Sequence, residues 1–275
     1  KSHLGLYKFQ DDYSIVNTHD FMHSSNFNQK GSSNLRRVVK KISVISDVKA
    51  GFYNHKNYVA ICGTSTSVSV YDINKTSTID NPLVTTLSEH TRSINSVDFN
   101  MSQTNLLISG GQDGCIKVWD LRSSQRSTNR SDININTGSD SIRDIKWMPS
   151  YDFATNDVNN SNGISNRGFK FASIHDSGLL LKFDLRQPNQ VEKKINAHSG
   201  PGLCLHWHPH QEYIISGGRD GKCCLWYVGD KNSNNNMSGN INNINNMSST
   251  PTHQLTPGYS INTTNTSMIF PEMII

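Results

Sequence analysis

The chain is built from short runs in which apolar and polar residues alternate. In Ile94-Asn-Ser-Val-Asp-Phe99, Val97 and Phe99 share one face, and in Ile142-Arg-Asp-Ile-Lys-Trp147 the pair is Ile145 and Trp147. From position 203 to 208, Leu203, Leu205 and Trp207 alternate with Cys204, His206 and His208. A period of two puts successive side chains on opposite sides of an extended backbone, so these runs predict strands. Gly110-Gly111, Gly114, Gly217-Gly218 and Gly221 fall between runs and supply tight turns. The expected fold class is all-β.

The runs also repeat. Glu89 to Phe99 stands beside Ala197 to Trp207, and each is followed by a strand, a tight polar turn and a second strand. The first copy continues over Leu106 to Asp120 and the second over Tyr213 to Tyr227. His90 precedes Asp113 by 23 residues and His198 precedes Asp220 by 22; Ser to Asp is 4 and Asp to Trp is 6 in both. Weaker copies run from Phe171 to Asp184, with Phe183 in the Trp position, and from Tyr58 to Asp72, with Tyr71 there. The aromatic marks at 71, 119, 183 and 226 are 48, 64 and 43 residues apart. That is a period of about 40–45 residues, with one polar insertion near 153–167.

These motifs resemble WD40 repeats, whose fold is a β-propeller of four-stranded antiparallel blades. The resemblance implies about four blades over 35–230, with the ring incomplete in this chain. It also implies a hydrogen-bonded set of His90, Ser109, Asp113 and Trp119 in one blade, and of His198, Ser216, Asp220 and Trp226 in another. A half-buried imidazole needs an acceptor, and an indole N–H needs something to donate to. The blade near 142–186 lacks the His, Asp140 stands roughly in its place, and a looser blade is expected. The blade ending at Tyr71 lacks both His and Asp, has Ser65 in its turn, and rests mainly on alternation. In such propellers the loops bearing the His and the turn Asp open on one face. Arg92, Gln112 and Arg219 would form a partner-binding surface there.

Composition narrows the classes. Hydrophobic residues are 34%, charged residues 17% and the formal net charge is +4, so the chain is polar without being strongly charged. That disfavours a helical bundle and gives no reason to expect nucleic acid or an anionic membrane as main partner. Apolar runs such as 178–181 and 268–270 fall far short of the roughly 20 residues of a membrane helix. Residues 1–34 form an N-terminal segment with a partial strand near Leu6 to Phe9. Residues 231–247 are more than half Asn, which marks 231–258 as a disordered linker, and 259–275 reads as the start of another blade. An opening on Lys1 without Met, and an end on Ile274-Ile275, suit a fragment of a longer protein.

Candidate chemistry is sparse. Cys62, Cys115, Cys204, Cys223 and Cys224 contain no C-x-x-C pair, and each lies in or beside an apolar run, as reduced buried thiols do. His206, His208 and His210 alternate around Trp207 and Pro209 without a third ligand at metal spacing, so a strand end is expected rather than zinc. Cys223 and Cys224 point to opposite faces. The Ser, His and Asp residues keep blade spacing, and neither a G-x-S-x-G turn nor a phosphate-binding loop accompanies them. No catalytic, cofactor-binding or metal residue is assigned, and an enzyme is not expected. The basic pairs Arg36-Arg37 and Lys40-Lys41 read as a solvated loop or a localisation signal.

A longer stretch carries a more specific resemblance. Ile195-Asn-Ala-His-Ser-Gly-Pro-Gly-Leu-Cys-Leu-His-Trp-His-Pro-His210, running into Gly217-Gly-Arg-Asp-Gly-Lys-Cys-Cys-Leu-Trp226, is similar to the fungal restriction of telomere capping protein 1 family. That resemblance implies a non-catalytic scaffold: an N-terminal propeller, a long middle region and a C-terminal RING-like domain. The zinc ligands of that domain lie outside these residues, so no cofactor is expected here. It implies a subunit of the SEA complex at the cytoplasmic face of the vacuole membrane, acting in target-of-rapamycin signalling. Other propeller-containing subunits would be its partners, with an influence on telomere capping and no small-molecule substrate. Two alternatives stay open: a substrate-receptor propeller of a ubiquitin ligase, and a nuclear chromatin-associated propeller.

Overall fold

A computed structural model describes residues 5–9, 15–20, 44–75, 82–122, 130–138, 140–150, 167–229 and 253–255. The polar insertion at 151–166, the basic pairs at 36–41, most of the Asn-rich stretch and residues 259–275 lie outside them. A hairpin of β1 (Gly5–Phe9) and β2 (Ile15–Asp20) comes first. Four antiparallel four-stranded sheets follow. The first holds β3 (Ile45–Ala50), β4 (Tyr58–Gly63), β5 (Ser67–Asp72) and β6 (Leu83–Ser88). The second holds β7 (Ile94–Phe99), β8 (Leu106–Gly111), β9 (Cys115–Asp120) and β10 (Ile133–Asn136). The third holds β11 (Ile142–Trp147), β12 (Lys170–His175), β13 (Leu179–Asp184) and β14 (Val191–Asn196). In the fourth are β15 (Gly202–Trp207), β16 (Tyr213–Gly218), β17 (Cys223–Tyr227) and β18 (His253–Leu255). The last strand falls inside 231–258, which composition alone assigned to a linker. Its three residues pair with Cys223–Leu225 and so cover an edge of β17 that would otherwise be bare.

Each sheet is a blade of WD-repeat type, and the four form an arc rather than a closed ring. Three hydrophobic clusters fill the three seams. Leu87, Val68 and Val70 of the first blade meet Phe99, Leu107 and Trp119 of the second. Ile108, Ile116 and Val118 of the second meet Ile145, Trp147 and Phe171 of the third. Ile174, Leu180 and Ile195 of the third meet Trp207, Ile214 and Trp226 of the fourth. A blade inside the arc must therefore bury both faces. This is why β8 and β12 are buried at every residue while β3 alternates.

The seam between the third and fourth blades also holds charge. Lys182 is 0% exposed and Lys170 7%. Both ammonium groups turn to one carboxylate on the outer strand: Lys170 donates to Glu192 at 2.8 Å, and Lys182 lies 3.3 Å from its other oxygen. Lys182 also donates to the main-chain oxygen of Val228 at 2.7 Å, tying the third blade to the fourth. Burial pushes the Lys182 ammonium below its ordinary pKa despite Glu192. Replacing Glu192 with Gln leaves two buried cations without a countercharge. Urea unfolding should show a loss of about 3 kcal/mol, at the low end for a broken buried pair because Glu192 keeps some solvent contact.

Candidate functional site

Two kinds of side-chain network decide where the loops of this protein stand. The first lies inside the blades. In the second blade Asp113 can only accept, so the His90 imidazole, 3.0 Å away, donates from Nδ1. Nε2 is then an acceptor and takes the Ser109 hydroxyl at 2.8 Å, and Ser109 Oγ in turn accepts the Trp119 indole N–H at 2.9 Å. Asp113 completes the set by accepting the amides of Thr91 (2.9 Å) and Cys115 (3.2 Å), which pins the loop before β7 to the β8–β9 turn. The fourth blade repeats this with His198 to Asp220 at 3.0 Å, His198 to Ser216 at 2.9 Å and Trp226 to Ser216 at 2.8 Å. Every polar group of each set has its partner in a buried place, where an unpartnered one is costly.

The third blade corrects the expectation that its imidazole is missing. Counting back from the first residue of the inner strand, the position of His90 and His198 is taken by Gly138, not by Asp140. The imidazole comes instead from His175 at the end of β12, where the other two blades carry Gly111 and Gly218. His175 Nε2 lies 3.0 Å from Ser173 Oγ, and Nδ1 donates to the main-chain oxygen of Asp140 at 3.3 Å. The exchange has a steric cause. A Cβ on Gly111 would lie 2.7 Å from His90 Nδ1, and one on Gly218 would lie 2.3 Å from His198 Nδ1. One pocket holds one ring, delivered from either side. Phe183 replaces the Trp here and has no N–H to donate, so Ser173 serves the imidazole alone. In the first blade Ile61 and Tyr71 occupy the Ser and Trp positions, and Ser65 bonds within its own turn to Ser67 at 2.9 Å.

The second network lies along the inner edges of the blades, around a cleft of roughly 560 Å³ lined by Asp47, Asp144, Lys146 and His206 among others. Asp47 accepts the Val97 amide at 3.2 Å, Asp98 the Trp147 amide at 2.9 Å and Asp144 the Leu205 amide at 3.0 Å. Lys146 donates to Asp144 at 2.5 Å and to Ser96 at 3.3 Å, with Asp47 4.0 Å away. Burial pushes the Asp98 carboxyl up to about 7, against the pull of Lys146 and the Trp147 amide. Burial and the charge of Asp47 push the Cys62 thiol up to about 12. None of these aspartates was singled out from the sequence. The signal was their recurrence at the third or fifth residue of each inner strand, which aligning the strands would have brought out.

Loops and turns meet at one end of all four blades. Gln112 N–H donates to Ser93 O, Arg219 N–H to Pro201 O and Asp176 N–H to Ser141 O, at 2.8 to 2.9 Å. Arg92, Gln112 and Arg219 are exposed at this end, each next to a bonded loop or turn. The sequence did not single out Arg143, which forms a two-pronged pair with Asp176 on the same surface. His206, His208 and His210 are directed to main-chain groups: His206 to Trp207 O at 2.9 Å, and His208 Nδ1 to the amides of His210 and Gln211. Among the described residues no group of three or more His, Cys, Asp or Glu gathers as a metal would require. Cys224 is buried in the seam while Cys223 lies on the other face.

Sheets of this pattern, carrying these relays, define a WD40-repeat protein. The WD domain, G-beta repeat family matches residues 81–120 and 189–227, which span the second blade's relay and the fourth's. The chain is homologous to the proteins called "Restriction of telomere capping protein 1" in yeasts. It is 70% identical to that of Kluyveromyces lactis over 100% of this chain and 21% of the relative. For Eremothecium gossypii the identity is 63% over 100% and 20%, and for Saccharomyces cerevisiae 56% over 100% and 21%. The chain thus spans about a fifth of the length of the curated relatives it matches.

Three outcomes follow from this geometry. Trp119→Ala should cost about 3–5 kcal/mol in thermal or urea unfolding, as for other buried aromatics cut to Ala, whereas Trp119→Phe, the third blade's own solution, should cost far less. Gly111→His alone should be strongly destabilising, and adding His90→Gly should recover at least about 1 kcal/mol, a coupling that a double-mutant cycle reads directly. Burial holds His90 and His175 below the ordinary imidazole pKa of 6.5. The unfolded chain therefore takes up protons that the folded one refuses, and stability is undiminished above pH 6.5 and falls as the pH drops below it. Asp98 acts in the opposite sense between 3.8 and about 7. The decline should accordingly be steeper in Asp98→Asn, which keeps an acceptor for Trp147, than in wild type.

Proposed function

We propose that this chain is part of a non-catalytic WD40 scaffold, a subunit of the SEA complex that acts in target-of-rapamycin control at the cytoplasmic face of the vacuole membrane. Identity of 56 to 70% along the whole chain to proteins of one name carries the reading; the SEA complex, the vacuole and the signalling role come from the family resemblance. The state of the serines supports the absence of catalysis. Ser109 and Ser216 are 0% and 1% exposed, and each accepts an indole N–H while serving an imidazole. A nucleophile needs a free lone pair and room for a substrate, and these have neither. The partner surface is the loop end bearing Arg92, Gln112 and Arg219, where exposed side chains stand on bonded turns. A second reading, a telomere-related nuclear scaffold, is favoured by the printed name of the relatives.

Affinity purification of the full-length protein from its own cells, followed by mass spectrometry, separates the two. Recovery of other propeller subunits with vacuole-associated regulators is expected. Recovery of chromatin proteins alone, or of a cullin adaptor, would overturn the assignment. Arg92→Ala with Arg219→Ala should reduce that recovery at least about tenfold without changing the melting temperature, as loss of interface anchors does.

A further inference from the structure

Every seam joins the forward face of one blade to the backward face of the next. In the second blade the forward residues Leu106, Ile108, Ile116 and Val118 are buried against the third. The same register in the fourth blade, aligned through Trp119 and Trp226, holds Tyr213, Ile215, Cys223 and Leu225. Ile215 is 38% exposed where Ile108 is 0%, and Leu203 beside it is 50% exposed. On the backward face of the same blade, Ile214 and Trp226 are buried. Apolar surface on one side of a sheet whose other side is a finished seam marks a docking face.

The seams also use a knob and a hole. A Cβ built on Gly110 would lie 2.6 Å from Ile142 Cγ2, so the first residue of the third inner strand seats over that glycine. In the next seam the sizes are exchanged: Ile174 stands in the Gly110 position, and a Cβ on Gly202 would lie 2.3 Å from Ile174 Cγ1. Gly217 holds that position in the fourth blade, with only Cys204 Sγ beside it at 3.1 Å. The polar clamp differs too. Where Asp47, Asp98 and Asp144 offer carboxylates to the next blade, the fourth offers Cys204 and His206, so apolar packing must carry the contact.

We propose that the forward face of the fourth blade docks a further β-sheet belonging to the remainder of the full-length chain, seated by an inner strand whose first residue is an Ile or Val that fills the hole over Gly217. The relatives are about five times as long as this chain, and a sheet tethered to the same polypeptide meets the face at a high effective concentration. The face is apolar and repeats the register of an internal seam, which a sheet of the same construction fits.

The test is native labelling of the full-length protein with N-ethylmaleimide, read at each cysteine by mass spectrometry. Cys204 and Cys223 should label at least about 100-fold more slowly than in urea, as groups under a closed contact do. Gly217→Ile should speed both by about tenfold or more while Cys62, inside the first seam, stays protected, and Gly217→Ala should retain the protection. Native labelling of Cys204 at the unfolded rate would overturn the proposal, as would protection in Gly217→Ile equal to wild type. Protection that disappears on dilution would assign the face to a second copy and overturn it equally. Should Gly217→Ile expose Cys62 as well, Ile215→Glu decides by the same three cysteines. Because the readout is thiol protection and not partner recovery, this proposal and the SEA-complex reading fail independently.

Discussion

The constraint on which this architecture depends is the bare edge of the innermost strand. In an antiparallel sheet every edge strand leaves alternate amides unpaired. At the outer rim water serves them. Toward the middle of the arc, β3, β7, β11 and β15 crowd together, with each packed against the one before, and no further strand fits. The amides are served instead by side chains one blade back: Asp47 for Val97, Asp98 for Trp147 and Asp144 for Leu205. Acceptance runs in one direction only, so each blade fixes the tilt and height of its successor. A carboxylate used this way must lose water, and the raised Asp98 is the consequence, while Lys146 answers the charge gathered beside Asp144. Packing in the seams supplies the larger share of the stability; the aspartates determine how the seams line up.

The relays show a second economy of construction. A Ser, His and Asp within hydrogen-bond reach look like a hydrolase triad, yet the roles differ because of what the serine faces. Here its oxygen takes an indole N–H from the neighbouring strand, and the result is a cross-brace from loop to turn. The third blade shows that the brace is defined by the space between two strands and not by a sequence position. His90 with Gly111, His198 with Gly218, and Gly138 with His175 are three ways of putting one ring into one pocket. Gly114, Gly178 and Gly221 all sit at positive φ in the equivalent turn, so the backbone that frames the pocket is the same in all three.

How much of this was legible in the sequence depended on whether the signal was local. Alternation and the offsets around Trp119 and Trp226 identify the strands, the turns and two relays, because each rests on residues of one blade at fixed spacing. The imidazole of the third blade escaped a reading that looked for His at its usual offset, since exchange across the pocket moves it by a whole strand. Asp47, Asp98 and Asp144 look like the polar half of an alternating strand, and only the neighbouring blade makes them acceptors. Lys182 was hidden for the same reason: a lysine among Leu179–Leu181 and Phe183 reads as an outward position, and its partners Glu192 and Val228 come from other strands. The short β18 lies far along the chain from its partner β17, across a polar stretch whose composition says nothing about pairing.

The loop end follows the same plan with different chemistry in each blade. The second residue of the inner strand faces the residue before the relay's turn position: Asn95 lies near Gln112, 3.5 Å apart, and Arg143 pairs with Asp176. In the third blade the two charges cancel one another. In the fourth the same places hold Leu203 and Arg219, so no opposite charge is built in beside the arginine. A surface on which Arg92 and Arg219 flank a neutralised third blade presents its positive charge at two separated points. A partner that reads such spacing must reach across three blades, and the braces beneath the loops keep the two points at a fixed distance.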